Sequence, residues 1–196
     1  MRLFNSLVEQ SIKPKGFVGN IMLKIMNNQH KSIFDLGIKN IVIFENCKLL
    51  DLGFGGGMAL KMLSKKYKDI KFYGIDFSKE ALEISSKNNR KDIKNGKMEL
   101  FLADIGEMPF CDNFFDIITA FQTHFHWQDI ENKFKEIYRV LNINGQFIIV
   151  AEKYKINYHM DLYKEESGIK KLFEDIGFKQ IEYGETKYNM YIKGIK

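Results

Sequence analysis

The sequence predicts an open α/β fold: a mostly parallel sheet with helices on both faces, ending in an antiparallel hairpin. Three observations carry this. From Lys48 onward, short apolar runs alternate with amphipathic helical stretches, the pattern of strand–helix–strand units. Two of the runs, Phe115–Phe121 and Gln146–Ala151, are apolar on both faces, as central strands covered from both sides require. The last two runs are joined only by Gly184–Thr186, too short for a helical crossover and suited to a hairpin.

The elements follow in order. Phe17, Val18, Ile21, Met22, Ile25 and Met26 recur at helical spacing, which predicts a helix with one apolar face. A short helix is expected from about His30 to Gly37, where glycine offers a left-handed cap. Strands are expected at Lys48–Gly53, Lys71–Asp76, Met98–Ala103, Phe115–Phe121 and Gln146–Ala151, and helices at Met58–Tyr67, Lys79–Asn89 and Ile130–Leu141. Ser78 precedes Lys79 and Glu80 as an N-cap. A further helix runs from Ser167 to about Ile176, closed by Gly177, before the hairpin strands Phe178–Tyr183 and Lys187–Gly194. The chain reads as a single domain, with 1–46 a helical cap or lid and 47–196 the α/β core.

Composition narrows the class. With 196 residues the chain suits one domain that buries a full core unaided. Hydrophobic residues at 45% and charged residues at 28% exclude a disordered chain. Two cysteines, Cys47 and Cys111, cannot build a disulfide framework or a four-cysteine zinc site, and read as free thiols of a reducing cytoplasm. Apolar runs such as Phe147–Ala151 are too short to span a bilayer. Met1–Gln10 holds Glu9 within no continuous apolar stretch, so no signal peptide is expected. The net charge is +5, yet the lysines are scattered among acids and only three of the 30 basic residues are arginine. That distribution argues against a nucleic-acid surface, and no membrane partner or metal is expected.

The chemistry concentrates at Leu49-Leu50-Asp51-Leu52-Gly53-Phe54-Gly55-Gly56-Gly57-Met58. An apolar strand ends in an acid, a glycine-rich turn follows, and a helix begins. Glycines let the backbone turn sharply and approach a ligand closely, and ligands of open α/β sheets sit at the carboxyl ends of the strands. The dinucleotide fingerprint fails, because Met58 or Leu60 stands where it needs glycine or alanine, and no Gly-Lys-Ser/Thr completes a phosphate loop. Asp76 ends the next strand, where a carboxylate can accept two ribose hydroxyls.

The spacing Asp-x-Gly-x-Gly-x-Gly, filled by Asp51, Gly53, Gly55 and Gly57, resembles the first motif of the class I S-adenosylmethionine-dependent methyltransferases. The resemblance implies their Rossmann-like, seven-stranded fold, S-adenosylmethionine as cofactor and S-adenosylhomocysteine as product. It implies that Asp76 binds the ribose, Phe77 lies against adenine, Asp104 accepts from the adenine amine and Ile105 offers its N–H to the ring. Phe54 and Phe121 complete the implied cofactor set. Glu107–Asp116 is similar to the family's lead into the fourth strand, and Ile137–Phe147 to its turn before the fifth, with Ile143 and Asn144 in place of proline and glycine. Gly19, Met26, Asn27 and His30 loosely match an N-terminal segment of small bacterial members, which could serve as a lid.

The acceptor is expected beyond the fourth strand, at Phe121-Gln122-Thr123-His124-Phe125-His126-Trp127. The Asn/Asp-Pro-Pro-aromatic motif of amide and adenine N-methyltransferases is absent there. His124 and His126 are candidate bases, since histidine titrates near neutrality. Phe121, Phe125 and Trp127 suggest an apolar wall instead, with His124 on the acceptor side and not an obligatory base. A small-molecule acceptor is the default. The rival functions are a non-catalytic module that binds the cofactor or a protein, and a nicotinamide-dependent oxidoreductase.

Overall fold

The computed structural model describes residues 31–196. Residues 31–39 form helix α1. The strands are β1 (Lys48–Leu52), β2 (Lys71–Asp76), β3 (Met98–Leu102), β4 (Phe115–Phe121), β5 (Leu141–Glu152), β6 (Lys179–Glu185) and β7 (Asn189–Ile195). The remaining helices are α2 (Met58–Lys66), α3 (Lys79–Asn88), α4 (Arg90–Lys94), α5 (Ile130–Val140), α6 (Lys153–His159) and α7 (Glu166–Ile176), with a 3-10 turn at His124–His126.

The strands form one sheet in the order β3-β2-β1-β4-β5-β7-β6. The pairs from β3 through β5 are parallel, and β7 runs antiparallel to both β5 and β6. This is the predicted Rossmann-like α/β architecture. The order reverses at β1, whose neighbours are β2 and β4, so a crevice opens above its carboxyl end.

Two apolar clusters flank the sheet. On one face Phe34 of α1 and Leu60 and Leu63 of α2 bury Leu49, Phe72, Ile117 and Ile148. On the other, Phe134 and Ile137 of α5 and Leu172 and Phe173 of α7 pack on Leu50, Ile118, Phe147 and Ile149. Alternate residues of one strand enter opposite clusters, the period-2 consequence of a sheet covered on both sides.

Several boundaries differ from expectation for physical reasons. Helix α1 continues past Gly37. A Cβ there would lie 2.5 Å from Phe121 Cε1 and 3.0 Å from Val150 Cγ2, so the glycine permits close packing of the helix on the sheet and is not a cap. Strand β5 begins at Leu141 and not Gln146: Leu141 pairs with Phe115, the register shifts, and Gln146 pairs with Ile117. Asn144 adopts a φ of 64° in that irregular stretch, which asparagine tolerates. The short helices α4 and α6 were not signalled. Only Ile156 of α6 is buried and no residue of α4 is, so neither carries an apolar stripe to read. The helix expected at Phe17–Met26, the Gly19/Met26/Asn27/His30 match and the lid assigned to them fall outside the described residues.

Candidate functional site

The glycine turn after β1 is shaped by close contacts. Gly53 has a φ of +69°, and a Cβ on it would meet Thr123 Cγ2 at 2.6 Å. Its N–H donates to the Ile75 carbonyl at 2.7 Å, and Thr123 Oγ1 donates to the Leu52 carbonyl at 3.2 Å. The turn after β1 is thereby tied to β2 and to the loop after β4. Gly57 caps α2 at a φ of 72°, and a Cβ on it would collide with Ser85 Oγ and Asn89 Nδ2 of the α3 region. Asn88 Nδ2 donates to the Gly56 carbonyl at 2.9 Å and Asn89 Nδ2 to the Gly57 carbonyl at 3.2 Å. The turn is held from outside by side chains that no glycine motif reveals.

Asp76 closes β2 and is 7% exposed. Its Oδ2 accepts from the Gly55 N–H at 2.8 Å and its Oδ1 from the Ser78 N–H at 2.9 Å. Each oxygen thus keeps acceptor capacity after one backbone bond. Beside it, Phe77 is 82% exposed, a large apolar ring left at the mouth of the site.

A cleft of about 460 Å³ lies over these residues. It is lined by Gly53, Asp76, Phe77, Ala103, Asp104 and Ile105, together with Thr123, His126, Trp127, Gln128 and Lys133. The carboxyl ends of β1, β2, β3 and β4 all contribute to it. Asp104 Oδ1 accepts from the Gly106 N–H at 2.6 Å and from Lys133 Nζ at 2.7 Å. The Lys133 bond, aided by the Gly106 N–H, holds the Asp104 carboxyl below the ordinary carboxylate range. Among the described residues, Asp104 Oδ2 and the Ile105 N–H have no partner. Arg139 steadies the loop that follows β3, donating to the Phe110 and Met108 carbonyls and to Asp112 and Glu136.

The sequence-predicted site residues divide into two groups. Gly53, Asp76, Phe77, Asp104, Ile105 and His126 line the cleft, and Gly55 supports it by anchoring Asp76. The others stand behind it. Asp51 is 2% exposed and accepts from Thr119 Oγ1 at 2.8 Å. Burial pushes its carboxyl up to about 7, with the nearby Asp76 charge adding to the shift. Phe54 packs against Gly74 and belongs to the α1/α2 cluster. Phe121 points to the same cluster and meets Phe34 edge-on at 5.0 Å. Neither ring lines the cleft, because alternation along β4 and the turn after β1 send both to the opposite face of the sheet.

His124 is not among the residues that line this cleft. It is 1% exposed and lines a second cavity of about 380 Å³ with Phe125, Trp127, Asp129, Ile130 and Glu131. Its Nδ1 is buried without a partner among the described residues. Burial, with His126 nearby, pushes its pKa down to about 3. His126 does line the cleft, and its own pKa is lowered first by burial and then by His159 and Lys155. Thr123, Gln128 and Lys133 were not among the predicted residues. Lys133 sits in the first turn of α5 in a lysine-rich chain, and nothing in the sequence distinguishes it from a solvated lysine.

The family model described as "Methyltransferase domain" matches residues 50–149, which spans the glycine turn, Asp76, Asp104 and the loop after β4. The chain belongs to this methyltransferase-domain family. Among its relatives, YrhH of Bacillus subtilis (strain 168) is 37% identical over 119 residues, 61% of this chain and 65% of YrhH. This chain therefore matches just under two thirds of that relative. A S-adenosylmethionine-dependent methyltransferase from Aquifex aeolicus has a similar structure, with a TM-score of 0.68 and 22% identity, covering 83% of this chain and 88% of that one. The [4+2]-cyclase SpnF is also similar, with a TM-score of 0.73 and 16% identity over 84% and 80% of the two chains. The methyltransferase-domain fold is thus shared with a protein whose stated reaction is a cyclisation.

Proposed function

We propose that this chain is an S-adenosylmethionine-dependent methyltransferase acting on a small-molecule acceptor, and that the cleft above β1–β4 is its cofactor site. The observation that carries this reading is the Asp76 carboxylate. It is buried at the cleft wall, and each oxygen is anchored by one backbone N–H yet able to accept another bond. Two acceptors fixed side by side suit the two vicinal hydroxyls of a ribose. The rest of the wall agrees. Asp104 Oδ2 and the Ile105 N–H offer an acceptor and a donor next to each other, matching the amine and ring nitrogen of an adenine edge. Phe77 supplies an exposed ring for its face. The positions in this set are carried over from the methyltransferase resemblance, and the free polar atoms are what support them here.

When bound, the cofactor supplies a methyl group already activated on a sulfonium. The chain's own task is to orient the acceptor and exclude water. Thr123 and Trp127, just past β4, line the same cleft and serve as the acceptor wall in this reading. Of the two candidate histidines, His126 lines the cleft and is the one we assign to take a proton from an acceptor. Burial lowers its pKa, with His159 and Lys155 adding to the shift, which favours the uncharged imidazole that can accept a proton. His124, neutral and buried against the second cavity, packs the loop.

Turnover tests the reading. S-adenosylmethionine is incubated with the protein and the small-molecule fraction of a cell extract, and S-adenosylhomocysteine is measured. Product that requires protein and extract, and that Asp76→Ala abolishes, is expected. Binding of S-adenosylhomocysteine without product would make the chain a non-catalytic cofactor-binding module. Thermal stabilisation by reduced nicotinamide cofactor alone would overturn the reading in favour of a dinucleotide enzyme.

A further inference from the structure

We propose that Lys133 is a positioning residue of the cleft: by pairing with one oxygen of Asp104 it presents the other, beside the Ile105 N–H, as a selector of 6-aminopurines over 6-oxopurines. This rests on the reading of the cleft as a purine cofactor site. The ion pair is inverted relative to an ordinary surface pair, because the lysine is the sheltered partner. The Lys133 side chain is 14% exposed and that of Asp104 64%. Lys133 rises from α5, a helix fixed to the sheet by Phe134, Ile137 and Val140, so its ammonium approaches from a rigid element.

Two donors converge on the same carboxylate oxygen, Lys133 Nζ at 2.7 Å and the Gly106 N–H at 2.6 Å. A carboxylate held at one oxygen from two directions cannot rotate freely, and Oδ2 of this cleft-lining residue has no partner among the described residues. Gly106 belongs to this arrangement. A Cβ there would lie 3.1 Å from Asp104 Oδ1 and 3.5 Å from Lys133 Nζ, crowding the pair. Partly exposed ion pairs contribute little to stability, so the geometry, and not the fold, is what the pair secures.

The fixed Oδ2 accepts and the Ile105 N–H donates. A 6-aminopurine offers a donor at the 6-position and an acceptor at N1, which matches both. A 6-oxopurine offers an oxygen and an N1–H, so both contacts become repulsive. A site built around specific hydrogen bonds rejects the mismatched analogue strongly. Without Lys133 the Asp104 carboxylate, mostly exposed, is free to turn away, and the selection weakens.

The test is calorimetric titration with S-adenosylhomocysteine and with its 6-oxo analogue, S-inosylhomocysteine. The proteins are wild type, Lys133→Met, Lys133→Gln and Lys133→Arg, each checked for an unchanged melting temperature. Wild type is expected to prefer the adenosyl ligand strongly. Lys133→Met and Lys133→Gln should bind it roughly tenfold more weakly, about the worth of one charge-assisted hydrogen bond. Their preference over the inosyl ligand should fall by a similar factor, and Lys133→Arg, which keeps the charge, should restore most of it. Wild-type selectivity in both neutral variants would overturn the proposal. So would an equal loss for the two ligands, which would make Lys133 merely structural. Failure of wild type to bind either ligand would overturn the purine-cofactor reading itself, and the Lys133 proposal with it.

Discussion

Replacing Asp76 by alanine separates the roles of the two acidic residues at the cleft. Asp76 is 7% exposed and anchored by the N–H groups of Gly55 at 2.8 Å and Ser78 at 2.9 Å. If its two oxygens each accept one ribose hydroxyl, Asp76→Ala removes two bonds to a charged, water-poor acceptor. At about 1.5–3 kcal/mol each, the upper estimate is roughly 3–6 kcal/mol, or two to four orders of magnitude in affinity. Water entering the vacated space recovers part of this, so a loss of at least tenfold is the firm expectation. Asp104 gives one bond from a side chain that is 64% exposed, where solvent competes, and Asp104→Ala should cost less. The assay is calorimetric titration of S-adenosylhomocysteine into both variants, with circular dichroism confirming that each is folded. Because Asp76→Ala leaves the Gly55 and Ser78 N–H groups without their partner, a lower melting temperature is also expected for it. Equal losses, or a larger loss for Asp104→Ala, would refute the assignment of the ribose to Asp76.

Asp51→Asn keeps an acceptor for Thr119 and removes a carboxyl whose folded pKa, about 7, lies above its unfolded value of 3.8. The folded state then holds the extra proton between those values, so wild-type stability falls as pH rises through that window. The variant should be the more stable above pH 7, by roughly 4 kcal/mol at most, and the difference should close near pH 4, read by urea unfolding at several pH values. His124 has the opposite sign: with a folded pKa of about 3 against 6.5, it contributes stability that is full above 6.5 and lost as pH falls toward 3. His124→Leu should flatten that acid limb in melting temperature, while His124→Ala should leave any neutral limb of kcat in place. Gly57→Ala forces a side chain into the Ser85 and Asn89 contact at a left-handed φ. It should destabilise by about 1–3 kcal/mol, measured as a lower urea midpoint.

The sheet and its helices were legible because burial imposes a period. Leu49 and Leu50, neighbours in β1, enter opposite clusters, and an apolar run on both faces announces that arrangement. The cleft was legible where it depends on backbone, at Gly53, Gly55, the strand-ending Asp76 and Asp104 just past β3. It was not legible where it depends on side-chain direction. Phe54 and Phe121 sit at motif positions, yet their rings point into the α1/α2 cluster. His124 and His126 are two residues apart, yet the 3-10 turn sends one into the interior and the other to the cleft. Lys133 reaches the site only because α5 packs over β4 and β5, a tertiary relation that no local spacing encodes.

The account stands on the cleft above β1–β4 being a site for S-adenosylmethionine and its product. Titrating the protein with S-adenosylhomocysteine, with reduced nicotinamide cofactor as the comparator, tests this most directly. Saturable one-to-one binding of S-adenosylhomocysteine, sharply weakened by Asp76→Ala and absent for the nicotinamide cofactor, is the predicted result. Folded protein that gives neither heat nor thermal stabilisation with S-adenosylhomocysteine, or that binds it undiminished after Asp76→Ala, would contradict it.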